Sequence, residues 1–255
     1  MVGIFDSGVG GLSVFREIQK VLPEQSYIYY SDNAHCPYGE KSREYIIDRA
    51  REITRFMLEK GCEIIVVACN TATAAAISTL REEFPVKFIG MEPAIKPAAH
   101  ATKSGVVGVL ATAGTLKASK YLDTREKWAQ GVTIVEHIGQ GFVELVESGN
   151  TSGPEAEMTV RTSLMPLLEA GADTIVLGCT HYPFLSETIS KVASTEAPEH
   201  NITIIDPAPA VARHLLEVMK QDGICEKSPE GYSIELHSSG TSASLERTFS
   251  DLMKF

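Results

Sequence analysis

Cysteine is scarce in this sequence of 255 residues, and its cysteines follow no cross-linking or metal-binding pattern. No two of them stand in a C-x-x-C spacing, and their number is odd: Cys36, Cys62, Cys69, Cys179 and Cys225. Small secreted scaffolds that depend on disulfides carry an even number of cysteines at a much higher density. The low count therefore excludes a cross-linked scaffold and favours a reducing compartment.

Positive charge is also in short supply. The chain has 23 Lys and Arg residues against 33 Asp and Glu residues, which gives a net charge of −10. Nucleic-acid backbones and anionic bilayers select basic surfaces, so we expect neither a nucleic-acid nor a membrane partner. A small acidic substrate remains compatible with this charge, because backbone amides in a cleft can bind an anion.

Long hydrophobic runs are missing as well. No segment approaches the roughly 20 apolar residues that a membrane-spanning helix needs. The opening MVGIFDSG has an acid at Asp6 and no basic region followed by a long apolar stretch, so it does not resemble a secretory signal. We therefore expect a cytoplasmic protein.

Short β-branched runs alternate with longer amphipathic stretches. Residues 42–61, for example, have apolar side chains at helical spacing and end at a glycine, which is a common helix stop. Strands that are apolar throughout and alternate with helices are typical of parallel sheets covered on both faces, which bind ligands at the carboxyl ends of their strands. The predicted strands are Val2–Phe5, Tyr27–Ser31, Ile64–Ala68, Lys87–Gly90, Val106–Leu110, Val132–Glu136, Thr174–Gly178, Ile202–Asp206 and Tyr232–Leu236.

The sequence contains an internal repeat. GCEIIVVACNT, residues 61–71, aligns without gaps on GADTIVLGCTH, residues 171–181, and VGIFDSGVGGL near the start resembles VGVLATAGTL from residue 107. Two pairs in the same order indicate duplication. We expect an α/β protein of two pseudo-symmetric lobes with mainly parallel sheets and a site in the cleft between them. Lobe A is predicted as residues 1–95 plus 207–255, and lobe B as residues 96–206.

The repeat places one cysteine at the same position in each half. Cys69 and Cys179 each follow a strand and precede a predicted helix, where the partial positive charge of a helix N-terminus favours a thiolate. Two thiols on equivalent edges of facing lobes would reach a ligand from opposite sides, which suits racemisation or epimerisation by two bases. A cysteine protease needs one thiol with a histidine, and zinc binding by both thiols and His181 lacks an evident fourth ligand.

Polar residues stand next to both thiols. Asn70 and Thr71 follow Cys69, and Thr180 and His181 follow Cys179, so each thiol has hydrogen-bonding groups at a predicted helix start, where a carboxylate binds well.

Two further segments carry candidate site residues. In DSGVGGLSV, Asp6 ends a strand and the glycines let backbone amides approach an anion, although similar loops also bind phosphate in actin-like ATPases. In CPYGEKS, Gly39 shapes a turn and Tyr38 offers a hydroxyl and a flat apolar face.

Taken together, the segments GIFDSGVGGLSV, PYG, CNTAT, VESG and GCTHYP resemble the glutamate racemases of the cofactor-independent aspartate/glutamate racemase superfamily in both order and spacing. The resemblance covers nearly the whole chain. It implies two α/β lobes with the active site between them, no pyridoxal cofactor and no metal. It also implies a cytoplasmic enzyme that interconverts L- and D-glutamate for peptidoglycan synthesis, in a family where homodimers are common.

The resemblance also implies residue roles. Cys69 would take the α-proton of D-glutamate and Cys179 that of L-glutamate, with Asp6 and His181 as auxiliary groups beside them. Glu147 would be a supporting acid, although no local pattern singles it out. The implied substrate contacts are Asp6, Ser7, Tyr38, Gly39, Asn70, Thr71, Thr180 and His181.

Two other functions remain open at this stage. An aspartate racemase would use the same CNT and CTH segments, because they serve either side-chain length. A two-lobed module could also bind an amino acid without any chemistry.

Overall fold

Two parallel β-sheets, each accompanied by helices, organise the protein in a computed structural model that describes residues 1–91, 94–199, 201–228 and 231–252. The chain divides into two units. The first comprises Met1–Glu92 and Ala208–Phe255, and the second comprises Pro93–Pro207. In the described residues, no helix has the length and apolar character needed to cross a bilayer.

The first unit contains a five-stranded sheet in the order β4-β3-β1-β2-β9, with every neighbouring pair parallel. The central strand, β1, is buried along its whole length because both of its edges are paired and helices pack on the sheet. The strands are β1 Val2–Asp6, β2 Tyr27–Ser31, β3 Ile64–Val67, β4 Lys87–Gly90 and β9 Ile234–Ser238.

The second unit contains a four-stranded parallel sheet in the order β6-β5-β7-β8. Its core includes Val107, Val109 and Val176 from the two central strands. The strands are β5 Val106–Ala111, β6 Thr133–Ile138, β7 Thr174–Gly178 and β8 Thr203–Ile205.

Eleven α-helices are found in the described residues. The predicted helix at residues 42–61 is confirmed as α2: Ser42 caps it by accepting a hydrogen bond from the Tyr45 amide, and Gly61 follows its end with a φ of 82°. The helices are α1 Leu12–Val21, α2 Arg43–Glu59, α3 Asn70–Glu83, α4 Ile95–Ala101, α5 Ala113–Leu116, α6 Ser119–Trp128, α7 Phe142–Ser148, α8 Pro154–Glu169, α9 Ser186–Glu196, α10 Ala208–Gln221 and α11 Ala243–Leu252. Short 3₁₀ turns lie at Asn33–His35, Tyr38–Glu40 and Tyr182–Leu185.

The predicted fold class, α/β with mainly parallel sheets, is confirmed. All nine predicted strands are present, with ends that differ from the prediction by two residues or fewer. The repeat also appears in the topology, because β2-β1-β3-β4 and β6-β5-β7-β8 are the same order of strands. In each sheet the order of strand connections reverses between the second and third strands, which are β1 and β3 in the first sheet and β5 and β7 in the second. The carboxyl ends of these strands are where this type of fold binds ligands.

Candidate active site

In the first unit, the carboxyl ends of β1 and β3 bring together three predicted site residues, which are Asp6, Ser7 and Cys69. Phe5 is paired with Val67 in the parallel ladder, so the residues two positions further on, Ser7 and Cys69, reach the same edge of the sheet. The Cys69 Sγ lies 3.8 Å from the Ser7 Oγ, to which the thiol donates. Both side chains are buried.

Cys69 is the N-cap of α3. Its backbone is extended, and its Sγ accepts a hydrogen bond from the Ala72 amide at 3.5 Å. Sulfur thus takes the place that a serine or aspartate oxygen usually occupies at a helix start. An amide donor and the positive end of a 14-residue helix both stabilise negative charge on this sulfur.

A carboxylate lies one group beyond Cys69. The Ser7 hydroxyl donates to the Asp6 Oδ1 at 3.4 Å, and the Asp6 Oδ2 accepts a hydrogen bond from the Gly11 amide at 2.7 Å. Asp6 is fully buried, and Gly11 leaves room for this contact, since a Cβ on Gly11 would lie 2.7 Å from the Asp6 Cβ and 2.8 Å from the Tyr29 hydroxyl. The thiol, the hydroxyl and the carboxylate therefore form a connected chain.

Asn70 and Thr71 form the first turn of α3, directly after Cys69, and both are buried. The Asn70 Oδ1 has no hydrogen-bond donor among the described residues. A buried oxygen without a donor is costly, so an acceptor of this kind is suited to a ligand that brings an N–H group.

Tyr38 and Gly39 lie in the 3₁₀ turn Tyr38–Glu40, and Tyr38 shares a buried cluster with Cys69. The Tyr38 hydroxyl donates to Asp32. Burial, together with the neighbouring Asp32 carboxylate, raises the pKa of Tyr38 far above its usual value, so the hydroxyl stays protonated.

Asp32 is a functional candidate that the sequence analysis missed. Burial acts to raise its pKa, but hydrogen bonds from Arg49 and Tyr38 outweigh burial and lower that pKa below its ordinary value. Arg49 also went unpredicted, because nothing local links it to a residue 17 positions earlier; an acid directly after β2 was the one available signal.

In the second unit, Cys179 follows β7 directly, and a histidine and an acid extend from it. The Cys179 Sγ lies 3.8 Å from the Nδ1 of His181, and the Nε2 of His181 lies 2.7 Å from the Oε1 of Glu147. His181 is 2% exposed and the Glu147 side chain 22% exposed. With Nε2 protonated toward Glu147, Nδ1 is an acceptor that faces the thiol.

Thr180 lies between Cys179 and His181 in the chain and is buried. The next residue, Tyr182, is buried too, and its hydroxyl donates to the Gly139 carbonyl at 3.3 Å. Burial raises the pKa of Tyr182 well above its usual value, so this hydroxyl is a structural donor.

The two thiol environments differ in how the chain continues. Cys69 caps an α-helix, whereas Cys179 is followed by the 3₁₀ turn Tyr182–Leu185 and only then by α9. The expectation that both cysteines stand at a helix start therefore holds closely for Cys69 alone. At Cys179 the imidazole of His181, not a helical amide, is the nearest polar group in the contacts described above.

The ladder register also indicates a second hydroxyl that the sequence analysis did not single out. Ala111 pairs with Gly178, so Thr112 and Cys179 occupy the register positions that Ser7 and Cys69 occupy in the first sheet. The alignment of residues 2–12 on residues 107–116 contained this signal, because it places Thr112 opposite Ser7.

The fold and these side chains define a class: a parallel α/β protein in which each unit carries a buried thiol at a strand end, linked through one polar group to a carboxylate. Such an arrangement is suited to moving protons with cysteine as acid or base. Comparison with known proteins agrees with this class. The sequence model of the Asp/Glu/Hydantoin racemase family matches residues 10–215, and the chain belongs to this family.

Individual relatives are similar over most of the chain. The glutamate racemase of Methylococcus capsulatus is 50% identical over 223 residues, which cover 88% of this chain and 80% of that protein. The crystal structure of the glutamate racemase isoform RacE1 from Bacillus anthracis superposes with a TM-score of 0.88 at 31% identity, covering 100% of this chain and 94% of that one. Escherichia coli glutamate racemase, determined with L-glutamate and an activator, gives a TM-score of 0.85 at 35% identity, covering 99% of this chain and 94% of that one.

Proposed function

We propose that this protein is a glutamate racemase that interconverts L- and D-glutamate without a cofactor, with Cys69 and Cys179 as its two bases. The observation that carries the proposal is the matching pair of thiol–carboxylate chains, Cys69–Ser7–Asp6 and Cys179–His181–Glu147. Glutamate is favoured as the substrate because the relatives above are named glutamate racemases and one was determined with L-glutamate. D-glutamate made in this way would serve peptidoglycan synthesis.

The reaction needs one base on each face of the α-carbon. From D-glutamate, the Cys69 thiolate accepts the α-proton, and the Cys179 thiol donates a proton to the opposite face to give L-glutamate. Cys69 then holds a thiol and Cys179 a thiolate, so the reverse direction starts from Cys179. Positioned acid–base groups of this kind contribute about 10²–10⁴-fold to the rate.

The groups around Cys69 favour both of its protonation states in turn. The Ala72 amide and the α3 N-terminus stabilise the thiolate that removes the proton. The Ser7 hydroxyl accepts from the thiol once it is protonated, and the Asp6 carboxylate holds that hydroxyl in place.

On the Cys179 side, His181 has the role that the Ala72 amide has at Cys69, which is to stabilise the thiolate. Its Nδ1 faces the sulfur and accepts or returns the thiol proton, while Glu147 stabilises the imidazolium that results. Because His181 is buried, this charge is held by Glu147 and not by water.

The remaining predicted residues fit the substrate's polar groups. The Asn70 Oδ1 would accept from the α-ammonium group; the lack of a donor to this oxygen among the described residues supports this role. Hydroxyls of Thr71 and Thr180 would stabilise the negative charge that develops on the α-carboxylate, and this stabilisation would supply the larger part of the rate enhancement for so weak a carbon acid. Tyr38 and Gly39 would form a wall of the substrate site.

The family resemblance extends the proposal in three respects. We propose that the two units are the two lobes of the enzyme, that the protein works in the cytoplasm and that it forms a homodimer.

A circular-dichroism assay of the purified protein with L-glutamate and no added cofactor tests the proposal. The wild type is expected to bring the signal to zero, whereas Cys69→Ser and Cys179→Ser lose nearly all conversion, because serine is a far weaker acid than cysteine. Cys225→Ser, at an exposed cysteine, is the matched control and should racemise normally. Full activity in either of the first two variants would refute two-base catalysis.

The same assay separates the alternatives. Faster conversion of L-aspartate than of L-glutamate would favour an aspartate racemase. Binding of glutamate without exchange of the α-proton would favour a module without chemistry.

A further inference from the structure

The loop that carries Tyr38 and Gly39 is held by hydrogen bonds at both ends. It begins at Asp32, directly after β2, and ends at Ser42, the N-cap of α2. The Asp32 amide donates to the Asp6 carbonyl at 2.9 Å, so the start of the loop is attached to the strand that carries a proposed site residue.

Asp32 is the centre of a buried network. Its side chain is fully buried and receives the Arg49 guanidinium through two bonds, from Nε to Oδ2 at 3.0 Å and from a terminal nitrogen to Oδ1 at 2.8 Å. The Tyr38 hydroxyl donates to the same Oδ2. A guanidinium that binds both oxygens fixes the plane of the carboxylate, and the carboxylate in turn fixes the direction of the Tyr38 hydroxyl.

This network determines which part of Tyr38 is available to the site. The hydroxyl is committed to Asp32, and Tyr38 packs in the apolar cluster that also contains Cys69. The hydroxyl is therefore an attachment point, and the aromatic ring is the part that packs in the buried cluster containing Cys69.

We propose that Asp32 and Arg49 are positioning residues for proton transfer at Cys69: together they hold the Tyr38 ring beside the thiol. This inference rests on the proposed function, in which Cys69 exchanges the proton of D-glutamate. Small displacements near a reacting group reduce rates by up to about 100-fold, so loosening Tyr38 slows the Cys69 step in particular.

Isotope effects in the two directions of reaction detect this selectivity. In Tyr38→Phe and Asp32→Asn, we expect kcat/KM to fall by about 10- to 100-fold. The Cys69 step then limits the rate more strongly. The deuterium isotope effect on kcat/KM therefore rises with α-deuterated D-glutamate and falls with α-deuterated L-glutamate. A purely structural role lowers activity without this opposite movement.

Three further variants sharpen the test. Arg49→Lys keeps the charge but loses the two-bonded geometry, so it should give a milder change in the same direction. Arg51→Lys is the matched control, because Arg51 lies two residues further along α2 and pairs with Glu83 and Asp48 at the surface; it should change nothing. The double variant Tyr38→Phe/Asp32→Asn should lower kcat/KM little more than the worse single variant, because both substitutions disrupt the same hydrogen bond between Tyr38 and Asp32.

Two results would overturn the inference. One is a change of the isotope effect that is the same with α-deuterated D-glutamate and with α-deuterated L-glutamate. The other is that the losses of kcat/KM in Tyr38→Phe and Asp32→Asn simply add in the double variant. If Asp32→Asn does not fold, Tyr38→Phe and Arg49→Lys decide the question by the same isotope effects. Failure of the wild type to racemise glutamate would remove the proposed function itself, whereas an active wild type with unmoved isotope effects in the variants removes this inference alone.

Discussion

Replacing Glu147 by glutamine probes the carboxylate behind His181 with little change of shape. The side chain is 22% exposed and its Oε1 lies 2.7 Å from the imidazole Nε2. Glutamine keeps an acceptor there but removes the negative charge. A hydrogen bond to a charged group contributes about 1–2 kcal/mol more than a neutral one, so kcat/KM should fall about 5- to 30-fold.

The loss should be specific to the Cys179 side of the reaction. The isotope effect with α-deuterated L-glutamate should rise and that with α-deuterated D-glutamate should fall, the reverse of the pattern expected for Tyr38→Phe. Glu144→Gln, at an exposed position on the same helix, is the matched control and should change kcat/KM less than about twofold. If Glu147→Gln behaves like this control, the carboxylate does not support His181 and the reasoning fails.

Two further predictions concern the carboxylate of Asp173 and the backbone at Gly11. Burial acts to raise the pKa of Asp173, but hydrogen bonds from the Thr102 hydroxyl and from the Ser104 and Lys103 amides outweigh burial and lower that pKa to about 2. The carboxylate therefore adds stability above its usual pKa of 3.8, and this contribution disappears as the pH falls toward 2. Thermal melts of Asp173→Asn should show that the free energy of unfolding falls by about 1 kcal/mol at neutral pH, a modest value because solvent screens this group. Near pH 2 the variant should not differ from the wild type. An equal loss of stability at both pH values would contradict this prediction. Gly11→Ala should leave the fold intact by far-UV circular dichroism but lower kcat/KM by about tenfold or more, because the added Cβ would displace Asp6; unchanged kinetics would show that Asp6 is not held as described.

The strands and the two cysteines were predictable from the sequence because both are local signals. Runs such as IIVV and TIVLG read as buried strands, and a thiol one or two residues beyond such a run must lie at the carboxyl edge of a parallel sheet. The internal repeat added that Cys69 and Cys179 occupy equivalent positions, which the matching order of strands in the two sheets agrees with.

The supporting groups were not predictable in the same way, because they come from distant parts of the chain. Glu147 reaches His181 across 34 residues, and Arg49 reaches Asp32 across 17. Hydrophobic periodicity places a helix against a sheet, but it does not say which polar side chain on that helix meets a given partner. Only the family resemblance pointed to Glu147, and nothing pointed to Arg49.

The fate of solvent deuterium tests the central claim most directly. L-glutamate is incubated with the wild-type protein in D₂O, and both enantiomers are separated early in the reaction and examined by mass spectrometry. Two cysteine bases predict that the newly formed D-glutamate carries deuterium at the α-carbon while the remaining L-glutamate stays protiated. Deuterium that appears in the remaining L-glutamate as fast as in the product, or D-glutamate that retains the original proton, would contradict the account.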